Sequence, residues 1–234
     1  MENNYEGEIV KDMLRFIGAV NIETIDRYRQ IKEIFSIRFH LPEIDFIRDE
    51  IGKCYALGAD HACILLTNML LEKYCKQVLI YKMSGFTYIQ NMETIEKDFA
   101  PAVKKYKNLS LEKTLRECKK EGVIDEDGLK IFLSFKNIFR DGFFHSDASK
   151  ILQGKTGQFV MGKLDTGETS AVQELVIQNV PPFTGIGIKM FAEANSYSYF
   201  VSVENLIRTT LRHYINEKYE VDLQIIKPDE IHGR

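Results

Sequence analysis

The sequence holds no tryptophan, five prolines and four cysteines in 234 residues, and it lacks every motif that would announce a metal or thiol centre. No C-x-x-C pair exists, and Cys54, Cys63, Cys75 and Cys118 fall mostly in apolar helical patterns. They read as buried, reduced thiols of a cytosolic protein rather than as disulfides or zinc ligands. Long apolar runs are missing too. Lys, Glu, Asn or Gln interrupts each stretch before the roughly 20 residues a membrane span requires. The first residues, Met1 to Glu6, are polar and acidic, unlike a secretion signal, so a cytoplasmic location is expected. A surplus of one charge is also absent: 31 basic residues face 34 acidic ones, net −3, which is no global signature of a nucleic-acid binder. No internal repeat or low-complexity segment appears.

What is present is an ordinary globular composition, 44% hydrophobic and 28% charged, in a chain long enough to bury a core. The spacing of apolar residues predicts helices over about Tyr5–Val20 and Ile22–Arg38. Pro42 suits a first helical turn and opens a third helix over Glu43–Tyr55. The strongest pattern runs from Asp60 to Met83. There, apolar residues cover most of the circumference and Asn68, Glu72 and Lys76 leave a narrow polar stripe, so this helix is expected at the centre of the fold. A weaker helix is expected over Thr94–Lys107 and a clear one over Ser110–Glu121, with Ser110 as N-cap and Gly122 as C-cap. Asp125-Glu126-Asp127 starts another, since negative charge favours a helix N-terminus. It carries Leu129, Phe132, Phe135, Ile138 and Phe139 on one face and ends in Arg140-Asp141-Gly142-Phe143-Phe144-His145. Gln158–Leu164 and Ala171–Val180 flank Asp165-Thr166-Gly167-Glu168 and read as a β-hairpin, broken by Pro181-Pro182. Helical spacing returns from about Met190 to Tyr219.

Several motifs fail on inspection. Gly154-Lys155-Thr156 resembles the tail of a P-loop, but Ser149 stands where the pattern needs its first glycine. Gly185-Ile186-Gly187 lacks the third glycine and the strand context of a dinucleotide loop. No H-E-x-x-H, no G-x-S-x-G and no histidine pair at i, i+4 occurs, so zinc-hydrolase and serine-esterase chemistry has no support, and no metal or cofactor is expected. Arg208, Arg212 and His213 form a cationic patch that a helix C-terminus would explain. Between Lys104 and Lys120 seven basic residues face two acidic ones. That bias fits a solvated helical face; alternatively Lys113, Arg116, Lys119 and Lys120 track the phosphates of a nucleic acid.

Arg140 and His145 carry the remaining signal. On a helix winding 100° per residue, five positions place them about 140° apart. They could then converge only if Gly142 loosens the last turns or a second subunit completes the site. A bland reading stands beside this: Arg140–Asp141 as a local ion pair, His145 as a cap on the helix dipole, and Phe143 and Phe144 as core.

The order of elements is distinctive: an apolar helix with Leu71-Glu72, a basic helix opened by Leu111-Glu112-Lys113, the turn at Gly122, and an aromatic-rich helix ending in Arg-Asp-x-x-x-His. From about Glu43 to Asp147 this resembles the HEPN family of helical domains, whose signature is an Arg, usually followed by a small polar residue, and a His four to six residues beyond. The resemblance implies a mainly α fold: a HEPN-like antiparallel helical bundle over 43–234, with an N-terminal helical extension over 1–42 and a small β-hairpin insertion at about 158–180. It implies metal-independent RNA cleavage by symmetric homodimers, in toxin–antitoxin, antiphage and CRISPR-associated systems. His145 would act as general acid/base, Arg140 as the cation for the transition state, and Asp141 as the residue orienting them. RNA, a second copy and a regulatory or antitoxin protein would be the partners. In one branch a tyrosine two residues after the histidine is modified by a partner nucleotidyltransferase. Asp147 occupies that position here, which speaks against that mode of control. The other expectation is a non-catalytic helical module for RNA binding or protein assembly, which the mildly acidic net charge favours.

Overall fold

The structure is a computed structural model that describes residues 22–85, 94–160, 162 and 169–219, with 212–219 as backbone alone. The helix expected over Tyr5–Val20, the hairpin turn Asp165–Glu168 and the side chains of Arg212 and His213 lie outside the described residues. Helix dominates: α1 (Ile22–Phe35), α2 (Pro42–Ala56), α3 (Asp60–Met83), α4 (Ile95–Tyr106), α5 (Leu111–Lys120), α6 (Glu126–Phe135), α7 (Ala148–Leu152) and α8 (Pro181–Tyr219). Between α6 and α7 the helix continues in π form over Lys136–Gly142, and a two-stranded sheet, β1 (Thr156–Phe159) with β2 (Gln173–Val176), precedes α8. No helix among the described residues is long and apolar enough to cross a membrane.

The chain packs as two compact units: one runs to Leu70 and resumes at Ser196, and the other is Leu71–Asn195. The boundaries fall inside α3 and α8.

In the first unit, α1 packs on α2, burying Ile31 and Ile34 with Ile44, Ile47 and Ile51. Pro42 sits in the first turn of α2, where the missing N–H is no loss. The polar interior is extensive. Arg48 and Glu204 are fully buried in a bidentate pair, with Nε and one terminal nitrogen each donating at 2.8 Å. Arg208 donates to the same carboxylate at 3.0 Å. Both guanidiniums also donate to the carbonyl of Ile34 at 3.1 Å, and Arg48 reaches the carbonyl of Ile37 and the carboxylate of Asp45. These carbonyls at and just past the end of α1 would otherwise lack partners inside the protein. The Arg48 guanidinium also lies 4.1 Å from the Phe39 ring centre. Arg208 is therefore no part of an exposed cationic patch. Asn68 departs from expectation as well: it is buried and accepts from the Tyr199 hydroxyl at 2.8 Å, so the polar stripe of α3 begins inside the protein. Meanwhile Leu65 and Met69 face outward.

In the second unit, Leu71, Tyr74, Cys75, Val78 and Leu79 of α3 are buried, as are Leu111, Leu115 and Cys118 of α5. Ser110 caps α5 by accepting from the Lys113 amide, Gly122 takes the left-handed conformation after it (φ 71°), and Lys82 donates to the Glu121 carbonyl. Asp125 caps α6, accepting from the Gly128 amide at 2.7 Å. All four cysteines are free: Cys75 and Cys118 here and Cys63 of the first unit are buried, whereas Cys54, expected inside, is half-buried. Burial pushes the Cys63 thiol up to about 12. The strands pair antiparallel with Thr156 opposite Val176 and Phe159 opposite Gln173, so the first strand starts two residues earlier than its alternation suggested. Helix α8 begins at Pro181, not near Met190. Pro181 and Pro182 come after the strands have ended and fill the first turn of this helix. Its Gly187 leaves room for Ile177, whose Cγ2 would stand 2.8 Å from an added Cβ.

Glu204→Ala should cost about 3–5 kcal/mol in urea unfolding, because two buried guanidiniums lose their shared carboxylate. Amides in α3 should rank among the slowest to exchange in deuterated solvent, since much of its side-chain surface is buried; fast exchange there would contradict that burial.

Candidate functional site

The π-helical segment is where this unit departs from regular structure. Its i→i+5 ladder winds fewer degrees per residue than an α-helix, so side chains five apart come onto one side. Lys136 and Asp141 show the effect: five residues apart, they bond at 2.8 Å. Helix α7 closes the segment. The Asp147 amide donates to the Gly142 carbonyl at 2.8 Å, and an added Cβ on Gly142 would stand 2.8 Å from Cγ1 of Ile151. Glycine is thus needed here for close approach. On the inner side Phe139 and Phe143 are buried, their ring centres 5.9 and 6.2 Å from that of Phe191.

The outer side carries charge. Arg140 donates to Asp141 at 3.2 Å and lies 3.8 Å from the Glu72 carboxylate of α3, which also receives Lys76 at 2.8 Å. Lys136 is 3.7 Å from Glu112 of α5, and Glu112 accepts from Arg116 at 3.0 Å. One ion-pair chain therefore runs Lys76–Glu72–Arg140–Asp141–Lys136–Glu112–Arg116, joining three helices of the unit. Burial pushes the Asp141 carboxyl upward, but Lys136 and Arg140 outweigh it and hold the group below the usual carboxylate range. Salt-bridging to Arg116 likewise lowers Glu112.

No family model, curated protein or solved structure matches the chain. The site is accordingly argued from its own residues.

Arg140 is 34% exposed at its side chain and Asp141 14%. His145 is exposed, beyond the π segment in the turn before α7, with its ring set edge-on to that of Phe144 at 6.3 Å. The ideal-helix separation of 140° does not describe this pair, since the helix is widened from Lys136 to Gly142 and has ended by His145. The geometric case for a second subunit falls with it. Phe143 is core as the bland reading holds, but Phe144 is 71% exposed and is not.

Lys113, Arg116, Lys119 and Lys120 are all exposed on α5. Three of them face carboxylates: Arg116 on Glu112, Lys119 on Glu126 at 2.9 Å, and Lys120 on Glu117 at 3.7 Å. Most of the basic bias is thus offset locally by acidic neighbours. The sequence reasoning passed over Lys136, and it noted Glu72 only in the polar stripe of α3 and in the order of elements, with no partner for it. The five-residue spacing of Lys136 and Asp141 carries no weight on an α-helix, so only the π geometry reveals it.

Asp141 stabilises the fold in full above the ordinary aspartate value of about 4, and that contribution is lost as pH falls through its own lower value. Asp141→Asn should therefore melt lower than wild type at neutral pH, the gap closing as pH falls below the usual aspartate range. A gap independent of pH would show that the carboxylate charge is not what stabilises. Gly142→Ala should cost about 1–3 kcal/mol in urea melts, as expected for overpacking against Ile151.

Proposed function

We propose that the chain is a metal-independent endoribonuclease of HEPN type that cuts single-stranded RNA or tRNA loops as a homodimer, in prokaryotic defence or growth arrest. One observation carries the reading. Arg140 lies on a π-helical segment, a distortion frequent at functional sites, and His145 follows in the turn just beyond it, and both side chains reach solvent. The antiparallel HEPN-like bundle, the RNA substrate and a regulatory or antitoxin partner belong to the same proposal and rest on the resemblance of Glu43 to Asp147.

The residue types suit the chemistry. A base must take the proton of the 2′-hydroxyl as its oxygen attacks phosphorus, and an acid must protonate the departing 5′-oxygen. Histidine titrates in the range both steps require, and two subunits would supply two of them. Charge gathering on the phosphoryl oxygens calls for a fixed planar cation, and Arg140 between Glu72 and Asp141 is held in this way. Asp141 orients Arg140. The same carboxylates favour a second reading, a non-catalytic module for RNA binding or assembly, in which Arg140 is a structural ion-pair partner.

Purified chain incubated with single-stranded RNA and tRNA, with and without EDTA, separates the two. Cleavage should survive EDTA and leave a 2′,3′-cyclic phosphate and a 5′-hydroxyl. His145→Ala should slow it by roughly 10²–10⁴-fold with an unchanged melt, and Arg140→Lys should also be damaging because a point charge replaces a planar fork. Light scattering should report a dimer. Mixing inactive His145→Ala and Arg140→Ala chains should restore part of the activity if the cleft is shared. An absence of cutting, with both variants melting far lower, would leave the pair a purely structural one.

A further inference from the structure

Four aromatic side chains lie in or beside the π segment, and one behaves unlike the others. Phe135, Phe139 and Phe143 follow one another in ring contact, and the last two pack on Phe191. Phe144 points the other way, 71% exposed, with its ring edge-on to that of His145 at 6.3 Å. Leaving a phenyl ring in water forgoes roughly 1.5–3 kcal/mol of burial free energy, whereas Phe143, its neighbour in the chain, is buried. The fold thus keeps one aromatic face available next to the histidine.

We propose that Phe144 is a stacking platform for a base of the single-stranded RNA, holding the nucleotide beside the scissile phosphate against His145. Unpaired bases offer two π faces, and proteins bind them by stacking on exposed aromatic side chains whatever the base identity. The position suits that role: the ring adjoins that of His145 at 6.3 Å and follows closely on the π segment that carries Arg140. This inference rests on the ribonuclease reading, and Phe144 acts in it as a binding and positioning residue.

The test uses the full chain and the RNA it cuts most readily, prepared with 2′-O-methyl sugars so that it binds without being cut. Phe144→Ala and Phe144→Leu should weaken binding by about 5- to 100-fold, the span of one lost stack, while Phe144→Tyr and Phe144→Trp should bind as wild type does. Removing the base beside the cut from the oligonucleotide should weaken wild type by the same factor and Phe144→Ala hardly at all, because both changes delete one contact. Full affinity in Phe144→Leu, or losses that add, would show that no stacking occurs and overturn the inference. A fall from dimer to monomer mass in Phe144→Ala would make the ring a subunit contact and overturn it as well. If wild type cuts RNA and Phe144→Ala binds it equally well, this inference alone fails. If wild type neither binds nor cuts RNA, the ribonuclease reading fails and takes the inference with it.

Discussion

Two arginines sharing one carboxylate in a dry interior set the terms for the first unit. Arg48 and Arg208 both bond Glu204, and both close on the Ile34 carbonyl, so α1, α2 and α8 meet at a single charged knot. Desolvating three ions is costly, and mutual attraction offsets that only when nearly every donor and acceptor is used. Here Asp45, Ile37 and the Phe39 ring take up most of what Glu204 leaves. Such a cluster is weak evidence of extra stability. It does discriminate strongly against any packing of these helices that would leave one charge alone.

The second unit uses charge differently. Its ion-pair chain lies along the surface, where each link is screened and contributes modestly, but the links run in sequence through Arg140 and fix its side chain from two sides. Backbone geometry makes this arrangement possible. Only the π turn brings Lys136 beside Asp141, and only a glycine at 142 lets α7 close over that turn. The irregularity in the helix and the candidate chemistry occupy the same seven residues and the turn that follows them.

Local signals were legible where they act over one turn of chain. Pro42 at a helix start, Ser110 as a cap, Gly122 as a left-handed stop, Asp125-Glu126-Asp127 opening a helix, and Asp60–Met83 as one continuous helix all stand in the structure as the residues suggest. Signals that depend on distant partners were not. Arg208 resembles a surface cation until Glu204 and the Ile34 carbonyl, 174 residues earlier, are seen beside it. Asn68 resembles a polar stripe until Tyr199, 131 residues away, donates to it. Pro181-Pro182 carries two opposite meanings, a stop and a start, and composition alone does not choose between them. The candidate pair Arg140 and His145 was found by type and spacing. A loosening of the turns around Gly142 was one of two alternatives the spacing left open, but the widening starts as early as Lys136, and nothing in the residue pattern marks that start.

The shared carboxylate has an evolutionary corollary. Losing Glu204 strands two cations, and losing either arginine unbalances the remainder, whereas an apolar trio of matching volume could take the place of all three at little cost. Positions 48, 204 and 208 are therefore separated from any uncharged alternative by a valley of unstable single substitutions. Related chains should be found on one side of that valley or the other, with the three residues inherited as a block.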